Sequence, residues 1–439
     1  MGLCRGGASA AGAAGRAPAR ARPRSPIPVC GLNGRAGGCR GIHPPALLGG
    51  VVDGYLGHRR GVHLARHARG ERHPEPGGRD AAEATNFGLW AGANEHEGRL
   101  QPTVTSYDSD APVAEDGTLT AKFFAVREAI GARGPVRMPA WTPTLPPASV
   151  PLVHRAGLLA GLRAVPAPTS TGPRPASFER LGLDAGMVLH SARPRIPAGE
   201  HRLVLTDVRD RALVFADGAF LGVAGPGHPE LPVRGAGAVV HLEVLVESLG
   251  RVNYGPGIGR HKGLIGPVLV NRRIVQGWDS TPIALQEWST TELTRALAAG
   301  PTSEHAGPGS EHAGPGSGQA CPGAELAGPA SEHADLGSGQ AGRVSERAGF
   351  AVATVDVEAP ADTFLALPGS RRGRVWVNGF LLGRYWDIGP QVTLYCPAPL
   401  LRAGRNTVTV LELEQLGATL ELRGRPELGP PEEYVEEFG

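Results

Sequence analysis

Two separated stretches of this chain are written in one pattern: short apolar, β-branched runs, each closed by a turn containing Gly, Pro or Asp. The first, from about residue 176 to 288, contains "HRLVLTDV", "ALVFADGAFLGVA" and "VVHLEVLVESLG". The second, from Phe350 to about Arg423, contains "FAVATVDV", "DTFLAL", "GRVWVNGFLLGRYW", "QVTLYCP", "NTVTVLELE" and "ATLELR". Runs this short, with period-2 alternation, are strands rather than helices. Asp217-Gly218 and Asn378-Gly379 each separate two such runs, and both dipeptides accept the positive φ that a type I′ hairpin demands. Several short strands at this spacing predict a β-sandwich or jelly roll. The expectation is therefore a mainly β protein with two sandwiches, at 176–299 and 350–425.

The remaining segments differ in kind. Residues 1–82 are dominated by Gly, Ala, Arg and Pro without sustained periodicity, so they cannot bury enough apolar surface to offset chain entropy. They read as disordered, or as a string translated from a wrong frame or start, because composition changes abruptly near Glu83. Residues 83–134 look ordered: an acidic turn, then a helix with Thr118 as N-cap and Phe123, Phe124, Val126 and Ile130 along one stripe. Residues 135–175 are Pro-rich and read as a stiff connector. Residues 300–349 hold a degenerate Gly/Pro/Ser repeat, expected to be a disordered insertion, and 426–439 form a tail.

Composition narrows the function classes. Among 439 residues the net charge is +2 and charged residues make up 20%, a balance that calls for neither nucleic acid nor an anionic membrane as partner. The basic residues are nearly all arginine, only Lys122 and Lys262 being lysines; scattered as they are, they suggest codon bias more than a phosphate site. Cys4, Cys30, Cys39, Cys321 and Cys396 form no CxxC pair, which argues against a zinc site or a disulfide framework. Cys396 lies in a strand-like run, as a small core residue would. The histidines of "GHRRGVHLARHARGERH" alternate with arginines that would repel a cation, and His305, His312 and His333 are widely spread, so neither group is read as metal-ligating. No metal or cofactor is expected. With no spanning apolar run and no signal-peptide h-region, the expected location is cytoplasmic. Nothing in the sequence indicates an oligomeric state.

"GRVWVNGFLLGRYWDIGPQVTLYCPAPLLRAGRNTVTVLELE" resembles the C-terminal β-domain of family-35 β-galactosidases. "VLVESLGRVNYGPGIGRHKGLIGPVLVNRR" (Val244–Arg273) is similar to the β-domain that precedes it in that family. "TNFGLWAGAN" and "TSYDSDAPVAEDGTLTAKFFAVRE" resemble the end of its TIM-type (β/α)8 barrel, the loop after the last strand and the last helix. The resemblance implies two galactose-binding-like β-domains following a barrel remnant. It also implies a hydrolase acting on terminal β-linked galactose, with β-galactosides or other glycans as ligands.

Retaining hydrolysis needs two carboxylates about 5–5.5 Å apart. In the family one lies in a Q-V-E-N-E-Y type motif and the other precedes an aromatic run ending in Gly-Trp; neither motif occurs upstream of Thr85. Glu95 and Glu97 of "ANEHEG" fall at a loop position, and Glu247 of "VES" on a β-domain strand, so all three are expected to be non-catalytic. The slot of a buried barrel strand reads "GGRDAAEATNFG", too charged for one, so a closed barrel is not expected. A galactose contact in the family comes from the second Tyr of an S-Y-D-Y-D-A type loop. Here the loop is "SYDSDA", which leaves Tyr107 and Ser109 as candidate substrate-binding residues. The reading is a β-galactosidase-family hydrolase that is inactive as this truncated chain. The alternative is a non-catalytic carbohydrate-binding or structural module. Trp376, Tyr385 and Trp386 are its possible stacking residues, although aromatics in such strands are more often core.

Overall fold

The computed structural model describes residues 85–96, 99–103, 105–106, 112–131, 143–300, 348–389 and 391–427. The chain divides into units Met1–Leu47 and Leu48–Gly439, and every described residue lies in the second. The low-complexity segment 1–82, nearly all of the repeat at 300–349 and most of the tail at 426–439 therefore lie outside the described residues.

Both predicted sandwiches are present. In the first, a six-stranded sheet has the order Ala219–Ala224, Arg211–Ala216, Leu242–Glu247, Met187–Ala192, Trp278–Ile283, Ser170–Gly172. It faces a four-stranded sheet ordered Glu230–Gly235, Gly199–Leu205, Val268–Val270, Arg273–Ile274. In the second, Phe380–Trp386, Arg372–Val377, Gly404–Glu412, Gly349–Val357 and Val153–Gly157 form a five-stranded sheet. Its companion is Thr393–Cys396, Thr363–Ala366, Thr419–Arg423 and Ala148–Pro151. The two dipeptide turns do what their chemistry demands. Asp217 and Gly218 have φ of 48° and 81°, Asn378 and Gly379 of 50° and 88°, each pair closing a two-residue hairpin.

The stretch read as a connector is structural. Val153–Gly157 pairs with Gly349–Val357, and Ala148–Pro151 pairs with Thr419–Arg423. Residues 148–157 thus belong to the second sandwich, and the first sandwich is inserted between them and the rest of it. The Pro-rich composition is compatible with this because Ala148–Pro151 is an edge strand, where a missing N–H removes no ladder bond.

The sandwiches meet through a shared interior. Val244, Val246 and Leu242 point into the first sandwich's own core, while Leu245, one residue out of phase, points outward. Leu245, Leu189, Leu213 and Phe215 there meet Trp376, Leu381, Leu411, Phe350 and Trp288 of the neighbouring layer. Val375, Val377, Val408 and Val410 face the opposite way, into the second sandwich's core. Each central sheet is therefore covered on both faces, and Leu242–Glu247 and Arg372–Val377 are buried at every position.

Among the described residues there is no closed barrel; its expected end survives as the hairpin Ala93–His96 with Arg99–Pro102 and the helix Ala121–Gly131. Thr118 is not the helix cap: its amide and hydroxyl both donate to the Asp116 carboxylate, and the helix starts three residues later. The remnant is tied to both sandwiches. Ala93 exchanges backbone bonds with Arg251 and Asn253, and the Gly88 amide donates to the Leu382 carbonyl at 2.9 Å. Phe87 packs edge-on against Phe380.

Gly349 allows Val153–Gly157 to lie alongside. Its φ is +139°, and a Cβ there would sit 2.1 Å from the Ala156 carbonyl oxygen. Gly349→Ala is expected to destabilise the protein by about 1–3 kcal/mol, measured as a lower urea midpoint. An unchanged midpoint would mean that this early segment does not pair there.

Candidate functional site

The polar residues on the face shared by the sandwiches converge where Leu242–Glu247 meets Arg372–Val377. Glu247 shares the outward face with Leu245, and Arg372 and Arg374 share theirs with Trp376, because all are spaced by two. Arg372 Nη2 donates to Glu247 Oε2 at 2.6 Å, and Arg374 Nη2 donates to Oε1 of the same carboxylate. All three side chains have 0% exposure. Burial pushes the Glu247 carboxyl up, but the guanidiniums of Arg372, Arg374, Arg384 and Arg211 outweigh it and hold it at about 2, below its ordinary 4.5.

The cluster carries more guanidiniums than carboxylates, and part of the surplus goes to carbonyls, a second carboxylate and a ring. Among the described residues, Arg372 Nε and Nη1, Arg374 Nε and Arg211 Nη1 are buried without a hydrogen-bond partner. Arg384 donates to the Leu249 carbonyl and to the Thr103 carbonyl, both at 3.0 Å, joining the second sandwich to the first and to the barrel remnant. Arg211 pairs with Glu414 at 2.7 Å. The Arg372 guanidinium lies 3.8 Å from the centroid of the Trp386 ring. Burial lowers Arg211 to about 10 and Arg384 to about 9, so both stay charged at neutral pH.

On the opposite face of the same sheet, Glu412 is ringed by donors. Its carboxylate accepts from the backbone amides of Arg371, Arg372, Glu414 and Gln415 and from the Tyr385 hydroxyl at 2.5 Å. Burial pushes it up to about 7 against those bonds. In the first sandwich His190 Nδ1 lies 2.9 Å from Ser280 Oγ, with the ring fully buried and pulled down to about 3. Closed off from solvent, the pair is a packing contact and no nucleophile.

The expected site residues fall as follows. Tyr107, Ser109 and Glu97 lie outside the described residues. Glu95 lies on the strand Ala93–His96 rather than in the expected loop, and it accepts from Arg260 Nη1 at 2.6 Å, which pins that hairpin to the first sandwich. Glu247 is structural, as its strand position implied. Cys396 is a buried core thiol, pushed up to about 12 by burial. Among the described residues no group of three or more His, Cys, Asp or Glu could hold a metal ion, and no helix is long and apolar enough to cross a membrane. Trp376 and Tyr385 are core, at 0% and 9% exposure, while Trp386 reaches a shallow pocket lined by Pro102, Arg384, Ile388, Gly389 and Gln391.

The convergence of arginines was missed by reading them as scattered codon bias. The available signal was "RGRVWV", where two arginines two apart sit on the face of a strand that otherwise reads as buried.

Three stretches match family models: "Glycosyl hydrolases family 35" over residues 83–133, "Beta-galactosidase, first all-beta domain" over 175–284, and "Beta-galactosidase, galactose-binding domain" over 349–406. Mouse β-galactosidase is 33% identical over 361 residues, covering 78% of this chain and 50% of that protein. Human β-galactosidase is 34% identical over 350 residues, covering 75% and 46%. The mouse β-galactosidase-1-like protein is 32% identical over 350 residues, covering 76% and 47%. The chain thus spans about half the length of the curated relatives it matches.

Glu247 is depressed in the folded state, so it adds stability above its unfolded value of 4.5, and this is lost as pH falls towards about 2. The span is worth roughly 3 kcal/mol. Glu247→Gln should leave two buried guanidiniums short of their carboxylate and cost about 3–5 kcal/mol. It should also flatten the acid limb of a stability–pH curve between those values; a variant with the wild-type acid limb would contradict the assignment.

Proposed function

We propose, from the premise that this chain belongs to family 35 of the glycosyl hydrolases, that it recognises terminal β-linked galactose and does not itself cleave it. The observation that carries this reading is the fate of the carboxylates. Cleavage with retention requires two carboxyl groups about 5–5.5 Å apart on either side of a bound sugar, one free to attack and one to donate a proton. Glu247 is locked between two arginines with no exposed surface. Glu412 is saturated by four amides and a tyrosine hydroxyl, and Glu95 is engaged by Arg260. These groups serve as scaffold anchors.

The recognition half of the reading is supported by the galactose-binding family model over residues 349–406 and by the relatives' being β-galactosidases. The two sandwiches, welded through one apolar interior, form a rigid platform able to present such a site.

The test is an assay of the full chain with an aryl β-galactoside. Release of the phenol is expected to stay at the buffer blank, and equilibrium dialysis with galactose should show binding with a Kd on the order of millimolar. Turnover that disappears in Glu95→Gln or Glu97→Gln would overturn the non-hydrolytic reading.

A further inference from the structure

Trp386 differs from the other aromatics of its hairpin. It is half-buried and lines a shallow pocket with Pro102, Arg384, Ile388, Gly389 and Gln391, whereas Trp376 and Tyr385 are sealed in the cores. The ring is braced from within. Arg372, with no exposed surface, places its guanidinium 3.8 Å from the ring centroid and is itself anchored on Glu247. Arg372 thus covers one face of a ring that also borders the pocket.

The walls are fixed by hydrogen bonds. The Gly389 amide donates to the Trp386 carbonyl at 3.2 Å, and the Asp387 amide donates to the Arg371 carbonyl at 2.7 Å. Arg371 Nε reaches the Asp387 carboxylate at 3.1 Å. Gln391 accepts from the Thr105 and Ser106 amides and donates to the Thr393 carbonyl, which spends its side-chain amide on the wall itself. Arg384 is the polar group with capacity left: two of a guanidinium's five N–H donors go to the Leu249 and Thr103 carbonyls. Ile388, 48% exposed, supplies an aliphatic rim.

An aromatic face held still, a guanidinium with spare donors and an aliphatic edge are what a pyranose needs: C–H groups lie on the ring and hydroxyls meet the fork. We infer that this pocket binds the terminal galactosyl residue of a glycan, stacked on Trp386 with its hydroxyls towards Arg384. Galactose suits it because the face opposite its axial 4-hydroxyl presents a continuous patch of C–H groups. The inference rests on the reading that the chain recognises galactosides, and names the place where it does so.

The full chain is titrated with methyl β-galactoside and methyl β-glucoside by calorimetry and ligand-observed NMR, beside Trp386→Ala and Trp386→Phe, with urea midpoints as the folding control. The wild type is expected to bind the galactoside, more tightly than the glucoside. Trp386→Ala should weaken binding about tenfold, and Trp386→Phe, which keeps a ring, should lose only a few-fold. If Trp386→Ala does not fold, Ile388→Arg at the exposed rim replaces it and should weaken binding to a similar extent. Wild-type affinity in a folded Trp386→Ala or Ile388→Arg overturns this pocket while leaving galactoside recognition standing elsewhere on the chain. Equal affinity for the glucoside overturns the galactosyl assignment. No binding by the wild type overturns the recognition reading and this inference together.

Discussion

The contact of Glu247 with Arg372 and Arg374 is the constraint on which the arrangement of the two sandwiches depends. A carboxylate and two guanidiniums with no exposed surface are tolerable only while each compensates the others, since an unpaired buried charge costs several kcal/mol. The partners come from different sandwiches, so the ion pairs act between layers rather than within one. They also fix register. Sliding Leu242–Glu247 by one residue would turn Glu247 into the apolar core that holds Val244 and Val246 and leave the arginines without their acceptor.

The apolar part of the same interface supplies adhesion, and the charged part supplies position. Trp288 lies nearly parallel to both Phe350 and Trp376, with centroids 6.0 and 6.4 Å apart, in the middle of the shared core. Such a core would accept several orientations, because dispersion and area burial are not directional. Arg384, bonded to carbonyls of the first sandwich and of the barrel remnant, adds direction at the junction of all three parts. Glu247 is thereby committed to holding the layers together, and Arg372, anchored on it, lies against the Trp386 indole.

Much of this was legible in the residues. The paired dipeptides at 217–218 and 378–379 announced their hairpins because only certain side chains accept left-handed φ, a local matter. Motifs along the chain announced the family. The connector was misread because Ala148–Pro151 and Val153–Gly157 are short, Pro-flanked and paired with partners some two hundred or more residues away, so no local pattern marks them as strands. Thr118 looked like a cap because Thr is a good one, but Asp116 two residues earlier captured its hydroxyl. The stacking aromatics could not be ranked, since alternation says which side chains share a face and not which face is covered.

What the sequence determined by itself was local and compositional: two blocks of strands, their tight turns, the family they resemble, and the absence of its catalytic motifs upstream of Thr85. Tertiary structure alone decided that the first sandwich is inserted into the second, that both central sheets are buried on both faces, and that arginines far apart in sequence gather on one glutamate. The reason is physical. A strand's propensity depends on its own residues, but the burial of Glu247, the pairing of residues 148–157 and the exposure of Trp386 depend on which surface the rest of the chain lays against them.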